Sequence, residues 1–359
     1  MKSKVLYLES SYPINTRSQR IIDSLKDSNV HVCTWDRTGN SGKNKDLNYS
    51  IYKTPNVGYG NKFLKISALF GYARFYLKVL KEEKPNVVVC SHWDMLLIAT
   101  MFKNNEKIVY DNVDIPEFKI RAIENIIIWL EKLALKRVEV SLLASRFYGE
   151  LYKSSRYIVL ENLPVSEINS PANKNIDKDI VKIGFVGSVR HYDLLVNLIE
   201  SIQGKNNVEL HIYGDGIAKE KLEKYCKMHS ILEVFFHGYF DYREIRYIYE
   251  KLDVLWAAYP HQSRNVQYAI SNKFFESIYY SIPCLFSNNT KLGDYVTENQ
   301  LGITVNPYVI SSIEEGIDKL LFNYESIHTN LKLFNEGDNI CWSKNEEKLK
   351  NVMAELSKK

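Results

Sequence analysis

The chain has 359 residues, 45% of them hydrophobic and 25% charged, with a net charge of +4. This length predicts two domains, each large enough for its own hydrophobic core. The charge is too small to imply a nucleic-acid partner, and the longest apolar runs, such as 126–130, are too short to cross a bilayer. The five cysteines are scattered and the first residues lack the long apolar segment of a signal peptide. We therefore expect a cytoplasmic protein without disulfides or structural zinc.

Strand and helix patterns alternate through the first half of the chain. Near-continuous apolar strands separated by helices are typical of a parallel, doubly wound sheet. A Gly/Asn/Lys-rich stretch at 39–61 predicts an exposed loop. The predicted strands are 4–10, 30–36, 85–92, 107–114 and 138–145, and the predicted helices are 18–28, 62–83, 95–104 and 119–137.

The alternation starts again after a polar, irregular segment at 165–179. The sequence therefore predicts an α/β protein of two Rossmann-like, doubly wound domains facing each other across a cleft, with ligands outside the carboxyl ends of the strands. We assign 1–165 to the first domain, 166–179 to a linker, 180–335 to the second domain, and 336–359 to a helical segment that packs back on the first domain. The predicted strands here are 181–188, 208–216, 233–240, 254–260, 282–287 and 302–305, and the helices are 192–203, 218–229, 241–251 and 271–280.

Small and charged residues follow the predicted strands of the second domain. Gly187 and Ser188 end a strand and Arg190 comes next, so backbone amides and a guanidinium could hold a phosphate there. The alternative is a surface arginine at a turn. Gly214 lies in a Gly-Asp-Gly turn that is equally typical of an ordinary strand-to-helix connection, and His237 ends the next strand.

Polar side chains also follow two strands of the first domain. His92 could hydrogen-bond a sugar hydroxyl, or a helix could simply start here with Ser91 or Asp94 as its cap. Asp111 and Asp114 could hold an acceptor or cap the next helix. No His/Asp/Glu cluster has metal-ligand spacing, so we expect no metal site.

One acidic side chain, Glu276, lies within the apolar stretch 271–287. A buried charge without a partner is costly, so such a residue is expected to be paired, hydrogen-bonded or bound to a ligand. The chain shows no Ser-His-Asp array, P-loop or nucleophilic cysteine. Its strand-end sites suit a reaction that depends on positioning and charge stabilisation.

Residues 181–305 resemble the GT-B-fold glycosyltransferases of the family 4-like group, the glycogen-synthase and capsular-polysaccharide enzymes. The resemblance rests on IGFVGSVR, LHIYGDG, FFHGYF, SNKFFESIYYSIPCLFS and LGITV in that order, and more loosely on the first half. It implies an enzyme that moves a sugar from a nucleoside-diphosphate sugar to a glycan or lipid-linked acceptor in bacterial surface polysaccharide or glycoconjugate synthesis. Retention of configuration and independence of metals and other cofactors are implied as well.

The resemblance also implies roles for individual residues. Glu276 is expected to bind the ribose hydroxyls, so that the ligand rather than a protein cation satisfies its carboxylate. The alternative is a glutamate paired with a nearby lysine. Catalytic roles carry over onto His92, Arg190 and Lys273, and donor-binding roles onto Asn272, Gly187, Ser188, Gly214, His237, Gly238 and Tyr239.

The sequence departs from the family pattern in three places. Tyr268 stands where the first of two glutamates seven residues apart is expected. The lysine that often follows the Arg190 equivalent is absent, and Arg264 or Lys273 could supply that charge. The paired glycines of the N-terminal loop are replaced by SYPINTRS, in which Arg17 could hold phosphate instead.

Two other functions stay open. One is a nucleotide-sugar epimerase on the same fold, and the other is a non-catalytic GT-B subunit, which the missing glutamate at Tyr268 favours. The stretch 61–84 mixes apolar, aromatic and basic residues, as a helix on the inner membrane surface would. The alternative for this stretch is a helix packed on the sheet with solvated lysines.

Overall fold

A computed structural model describes residues 3–37, 48–54, 62–153, 155–165, 179–338 and 340–358, with 62–67 as backbone only. The chain divides into two compact units. The first comprises Met1–Asn162 and Ser343–Lys359, and the second comprises Leu163–Trp342. Of the expected linker at 166–179, all but Asp179 falls outside the described residues.

The first unit contains a parallel sheet whose strands lie in the order β3-β2-β1-β4-β5-β6-β7. The order changes direction between β1 and β4, which makes their carboxyl ends the topological switch point. The elements are β1 (Lys4–Glu9), α1 (Thr16–Ser24), β2 (Asn29–Asp36), β3 (Tyr49–Lys53), α2 (Lys62–Glu83), β4 (Val87–Ser91), α3 (Trp93–Met101), β5 (Lys107–Asn112), α4 (Arg121–Leu135), β6 (Val140–Leu143) and β7 (Tyr157–Val159).

The second unit contains a parallel sheet of order β10-β9-β8-β11-β12-β13, with its switch point between β8 and β11. This doubly wound order confirms the predicted Rossmann-like fold. The elements are β8 (Val181–Val186), α5 (Tyr192–Ile202), β9 (Val208–Tyr213), α6 (Lys219–Met228), β10 (Val234–Gly238), α7 (Ile245–Glu250), β11 (Val254–Ala257), α8 (Arg264–Tyr268), α9 (Asn272–Tyr280), β12 (Cys284–Ser287), α10 (Lys291–Glu298), β13 (Ile303–Val305), α11 (Ile310–Phe322) and α12 (Tyr324–Asp338).

The last helix, α13 (Trp342–Ser357), contributes most of its length to the first unit. Leu349 and Met353 are buried, and the Asn345 side-chain amide donates to the Glu161 carbonyl at 2.6 Å. Lys107 Nζ donates to the Leu356 carbonyl at 2.6 Å. The end of the chain thus completes the core that its beginning forms.

Helix α2 packs on the first sheet. Its buried side chains Ala68, Tyr72, Tyr76 and Val79 recur at helical spacing, and the Tyr72 hydroxyl donates to the Glu9 carbonyl at 3.0 Å. From residue 68 onward the apolar face of this helix is therefore buried against the sheet. This agrees with the alternative for 61–84, a helix packed on the sheet. Within the described residues, no helix combines the length and apolarity that crossing a bilayer requires.

Candidate functional site

Glycines join three strand ends at the carboxyl edge of the second sheet. Gly187 N–H donates to the Tyr213 carbonyl at 2.9 Å, and Gly214 N–H donates to the Gly238 carbonyl at 2.7 Å. Gly214 has φ +129°, and a Cβ there would lie 1.8 Å from the Gly187 carbonyl oxygen. Only glycine fits this contact, so the turns after β8 and β9 can lie directly against each other.

The turn after β8 carries cationic and imidazole groups to the start of α5. Arg190 is exposed, and its Nε donates to Ser188 Oγ at 2.7 Å. The His191 ring lies 6.5 Å from the Tyr259 ring, which follows β11 across the switch point. Burial and the neighbouring Arg190 lower the pKa of His191. A helix N-terminus, a guanidinium and a neutral imidazole together form an environment that favours an anion.

A buried ion pair lies in the first turns of α9. The Ser271 side chain caps the helix by accepting from Lys273 N–H at 3.2 Å. Lys273 Nζ is 2.5 Å from Glu276 Oε2, and the two residues are 9% and 4% exposed. The hydroxyls of Tyr249 and Tyr242 donate to Glu276 Oε2 at 2.5 Å and to Oε1 at 3.3 Å.

The expectation that a ligand rather than a protein cation satisfies Glu276 is therefore wrong for this structure. Positions i and i+3 lie on the same face of a helix, so Lys273 reaches the carboxylate directly. This spacing was visible in the sequence. The two tyrosines come from the segment around α7, and nothing near Glu276 in the chain pointed to them.

The ion pair stays charged at neutral pH. Burial alone would raise the pKa of Glu276, but the Lys273 ammonium and the hydrogen bonds from Lys273 and Tyr249 outweigh it, so the pKa is lowered. Burial likewise opposes the charged form of Lys273, but the Glu276 carboxylate outweighs it and raises the pKa. Oε1 has the longer contact, to Tyr242, so it is the oxygen at which a ligand hydroxyl can compete.

Stacked rings connect the ends of β9 and β10. The His237 ring lies over Tyr213 at 4.0 Å with planes 6° apart, and His237 Nε2 is 3.0 Å from His211 Nδ1. Burial, His211 and two lysines lower the pKa of His237. Tyr239 is 82% exposed, and Gly238 has φ +74°. The His237 side chain therefore packs against Tyr213 and His211 at the strand ends.

The remaining predicted donor residues lie around the start of α9. Asn272 is exposed as the first residue of that helix. Arg264 and Tyr268 lie at the two ends of the preceding α8 and are half-buried. The position of the missing glutamate therefore belongs to the same short segment as the ion pair.

His92 lies at the switch point of the first sheet, immediately before α3. Its φ of +71° falls in the left-handed region, which is rare for a residue with a side chain and is concentrated at functional sites. The His92 side chain makes no capping bond, and its Nε2 is 4.0 Å from Glu9 Oε1. The Asp94 carboxylate accepts from the adjacent Met95 N–H at 3.0 Å and lies 3.7 Å from Arg37. The predicted helix start is correct, but the N-cap residue is His92, so the expectation that Ser91 or Asp94 caps the helix is wrong.

The prediction that Arg17 holds a phosphate is also wrong. Arg17 is buried at 3% exposure and pairs with the buried Asp111 through Nε at 2.9 Å and Nη2 at 2.7 Å. Its Nη1 donates to the Asn162 side chain at 2.9 Å and also to the Leu160 carbonyl. The guanidinium is used to hold the first unit together, and Asp111 is the counter-charge that makes its burial tolerable.

Three comparisons place this geometry among known proteins. Residues 166–332 match the family described as Glycosyl transferases group 1. Among curated proteins, none matches the chain by sequence. The fold is similar to that of sucrose-phosphate synthase from Thermosynechococcus elongatus, with a TM-score of 0.78, 11% identity and coverage of 99% of each chain.

Two further solved structures are similar over nearly their whole length. HepE of Anabaena, in complex with UDP, has a TM-score of 0.73 at 13% identity, with 98% of this chain and 100% of that chain covered. WaaG, a glycosyltransferase involved in lipopolysaccharide biosynthesis, has a TM-score of 0.68 at 14% identity, with 96% and 98% covered. At these identities the likeness establishes the fold of both units.

Proposed function

We propose that this chain is a glycosyltransferase that moves a sugar from a nucleoside-diphosphate sugar to a glycan or lipid-linked acceptor. The match of residues 166–332 to the glycosyl transferases group 1 family, on a GT-B fold, supports this proposal. The observation that carries this proposal is the buried Lys273–Glu276 pair at the start of α9. Tyr259 interacts electrostatically with Lys273, and its ring lies 6.5 Å from the ring of His191 at the start of α5.

Glu276 binds the ribose hydroxyls in this proposal. A donor displaces Tyr242 from Oε1, the weaker of the contacts, while Lys273 and Tyr249 keep hold of Oε2. The carboxylate is thereby charged and oriented before the ligand arrives. Preorganisation of this kind lowers the cost of binding because the acceptor group need not be ordered or deprotonated at that moment.

Cationic groups stabilise the leaving diphosphate. Arg190 is exposed beside Ser188 and can turn toward a phosphate, and the first turn of α5 contributes partial positive charge. These charges perform the work that a metal ion performs elsewhere, which supports a metal-independent reaction. We also propose a catalytic role for His92 and retention of configuration, with the oxygen of the leaving diphosphate receiving the acceptor proton on the same face of the sugar.

A uridine diphosphate sugar is the first donor to test, because HepE has been solved with UDP and with UDP-glucose. WaaG takes part in lipopolysaccharide biosynthesis. We accordingly propose a bacterial surface polysaccharide or glycoconjugate as the product, made at the cytoplasmic face of the membrane.

The test is turnover by the purified chain across uridine, guanosine, adenosine and cytidine diphosphate sugars, with and without EDTA. We expect slow hydrolysis of one donor without added acceptor, unchanged by EDTA, and release of the sugar with its anomeric configuration retained by NMR. Loss of turnover in EDTA would contradict the metal-independent mechanism.

A non-catalytic nucleotide-binding subunit is the second candidate, and Tyr268 in place of a glutamate favours it. The same panel separates the two functions. Binding of a sugar nucleotide without hydrolysis or transfer to any glycan would support the non-catalytic subunit, whereas turnover excludes it.

A further inference from the structure

Helix α4 presents three distinct faces along its length. Glu131, Ala134 and Leu135 are buried, and the Glu131 carboxylate accepts from the hydroxyls of Tyr110 at 2.8 Å and Tyr152 at 2.9 Å. These contacts fix how the helix is rotated on the first sheet. Successive residues of a helix are rotated by about 100° around its axis. The rest of the surface of α4 therefore consists of one apolar strip and one polar strip.

Four apolar side chains of α4 form an exposed strip. Positions 123, 126, 129 and 133 are three or four residues apart, so their side chains lie along one side of the helix. They are between 40% and 59% exposed, and Trp129 is the most exposed among them. A monomeric protein seldom exposes so many large apolar side chains in one row unless something covers them. This apolar strip consists of Ile123, Ile126, Trp129 and Leu133, and the exposed Ile120 immediately precedes the helix.

The neighbouring polar strip is basic. Arg121, Lys132 and Lys136 are exposed and lie next to the apolar strip on the helical projection, with Asn125 as the uncharged member. None of the three cations pairs with a carboxylate anywhere in the described ranges. The acidic residues of the helix are turned away, since Glu131 is buried and Glu124 accepts from Phe118 N–H at 3.1 Å.

We propose that α4 is a membrane-docking face, which lies in the headgroup region of an anionic bilayer with its apolar strip inserted. Charge complementarity decides the occupant, because a row of cations beside exposed Ile and Trp side chains matches acidic headgroups above an acyl layer. Tryptophan is favoured at this depth because its ring is apolar and its N–H is polar. This inference goes beyond sugar transfer and does not depend on it.

The membrane-binding helix is thus α4 rather than α2, the helix within the stretch 61–84 that the sequence suggested. The described side chains of α2 use their apolar face on the sheet, with Phe70 as its strongly exposed exception at 70%. Phe70 therefore serves as the variant that distinguishes the two helices.

The test is flotation of the full chain with phosphatidylcholine vesicles that contain or lack phosphatidylglycerol. The wild type is expected to float with the anionic vesicles, less so as salt is raised. Ile126→Asn/Trp129→Asn and Arg121→Glu/Lys132→Glu/Lys136→Glu should each reduce partitioning by at least about tenfold. All these side chains are exposed, so both variants should have the melting temperature of the wild type.

Matched controls lie on the second unit and on α2. Phe322→Asn removes a side chain that is 90% exposed, and Lys221→Glu/Lys224→Glu/Lys227→Glu reverses three exposed lysines of α6. Neither control nor Phe70→Asn should change flotation. Equal loss in the control variants, loss with Phe70→Asn alone, or no flotation of the wild type would overturn the proposal. A wild-type dimer that the apolar variant converts to monomer, without any vesicle binding, would overturn it in favour of a second copy of the chain.

Discussion

Lys273 and Glu276 form a buried ion pair in the candidate site. Each charge is nearly sealed from water, so each depends on the other. Removing one partner of a buried pair leaves an uncompensated charge, which is more damaging than the loss of an exposed pair. We therefore expect Lys273 to support both the stability of the second unit and donor binding.

Replacement of Lys273 by Met should destabilise the second unit by about 3–5 kcal/mol, measured by urea denaturation. Lys319→Met is the matched control because its pair with Glu315 is exposed and 3.9 Å long, and its effect should stay under about 1 kcal/mol. Equal effects of the two substitutions would show that the buried pair contributes no more than a surface pair.

The lowered pKa of Glu276 predicts how stability and donor binding depend on pH. A carboxylate whose folded-state pKa lies below its unfolded value contributes stability that is fully present above the unfolded pKa and is lost as pH falls through the folded one. Wild-type donor binding should therefore be independent of the ionisation of Glu276 at neutral pH. In Lys273→Met, burial dominates and raises the pKa of Glu276, so donor binding should weaken at a higher pH than in the wild type. Superimposable pH profiles would contradict this.

The charged residues of this site could be identified from the sequence, but the tyrosines that hydrogen-bond to them could not. Glu276 stood out because its neighbours are apolar, and Lys273 lies three residues before it. Tyr249 and Tyr242 could not be found, because their hydrogen bonds to Glu276 depend on how α7 packs against α9. Arg17 was wrongly predicted to hold a phosphate for the same reason, because its partner Asp111 is 94 residues away in the chain.

At the scale of elements, the glycine turns depend on close backbone approach. Gly214→Ala places a side chain at a residue with positive φ, and its Cβ would overlap the Gly187 carbonyl oxygen. This oxygen belongs to the backbone, so it cannot move aside as a flexible side chain can. We expect a loss of about 3 kcal/mol or more in stability, together with loss of donor binding.

Gly204→Ala is the control for this substitution. Gly204 has φ +75°, but nothing lies within 4 Å of an added Cβ, so only backbone strain of about 1–2 kcal/mol is expected. Thermal unfolding of both variants measures the difference. A Gly214→Ala protein as stable as Gly204→Ala would mean that the strand ends are not in contact as described.

Most strands and helices could be predicted because central parallel strands are apolar throughout and amphipathic helices are periodic. Strands β3 and β7 were missed because they lie at the edges of the first sheet and are only partly buried. The predicted loop at 39–61 is wrong at Tyr49–Lys53, where β3 lies, and its residues 39–47 and 55–61 are outside the described ranges. Helix α8 has five residues, too few to show a period.

At the scale of the whole molecule, the chain begins and ends in the same unit. The contacts of α13 with Glu161, Lys107 and Arg156 join positions roughly 180 to 250 residues apart. Helical periodicity predicts the helix, but its partners cannot be read from local sequence. They follow only from the packing of the first unit.

Leu349→Ala tests this closure. Leu349 is fully buried, so its truncation should cost about 2–5 kcal/mol. Hydrogen exchange should show lost protection in 3–153 and unchanged protection in 179–338. Leu333→Ala, at a position 61% exposed on α12, should alter neither unit. Uniform loss of protection across both units in Leu349→Ala would contradict the assignment of α13.

The central claim is that Glu276 binds the nucleotide sugar, and calorimetric titration of the donor tests it most directly. UDP-glucose is titrated first into the wild type, Glu276→Gln and the exposed α6 control Glu220→Gln. We expect Glu276→Gln to weaken binding by about 2–4 kcal/mol while the control binds as the wild type does. Wild-type affinity in Glu276→Gln, for whichever donor the chain binds, would contradict the account.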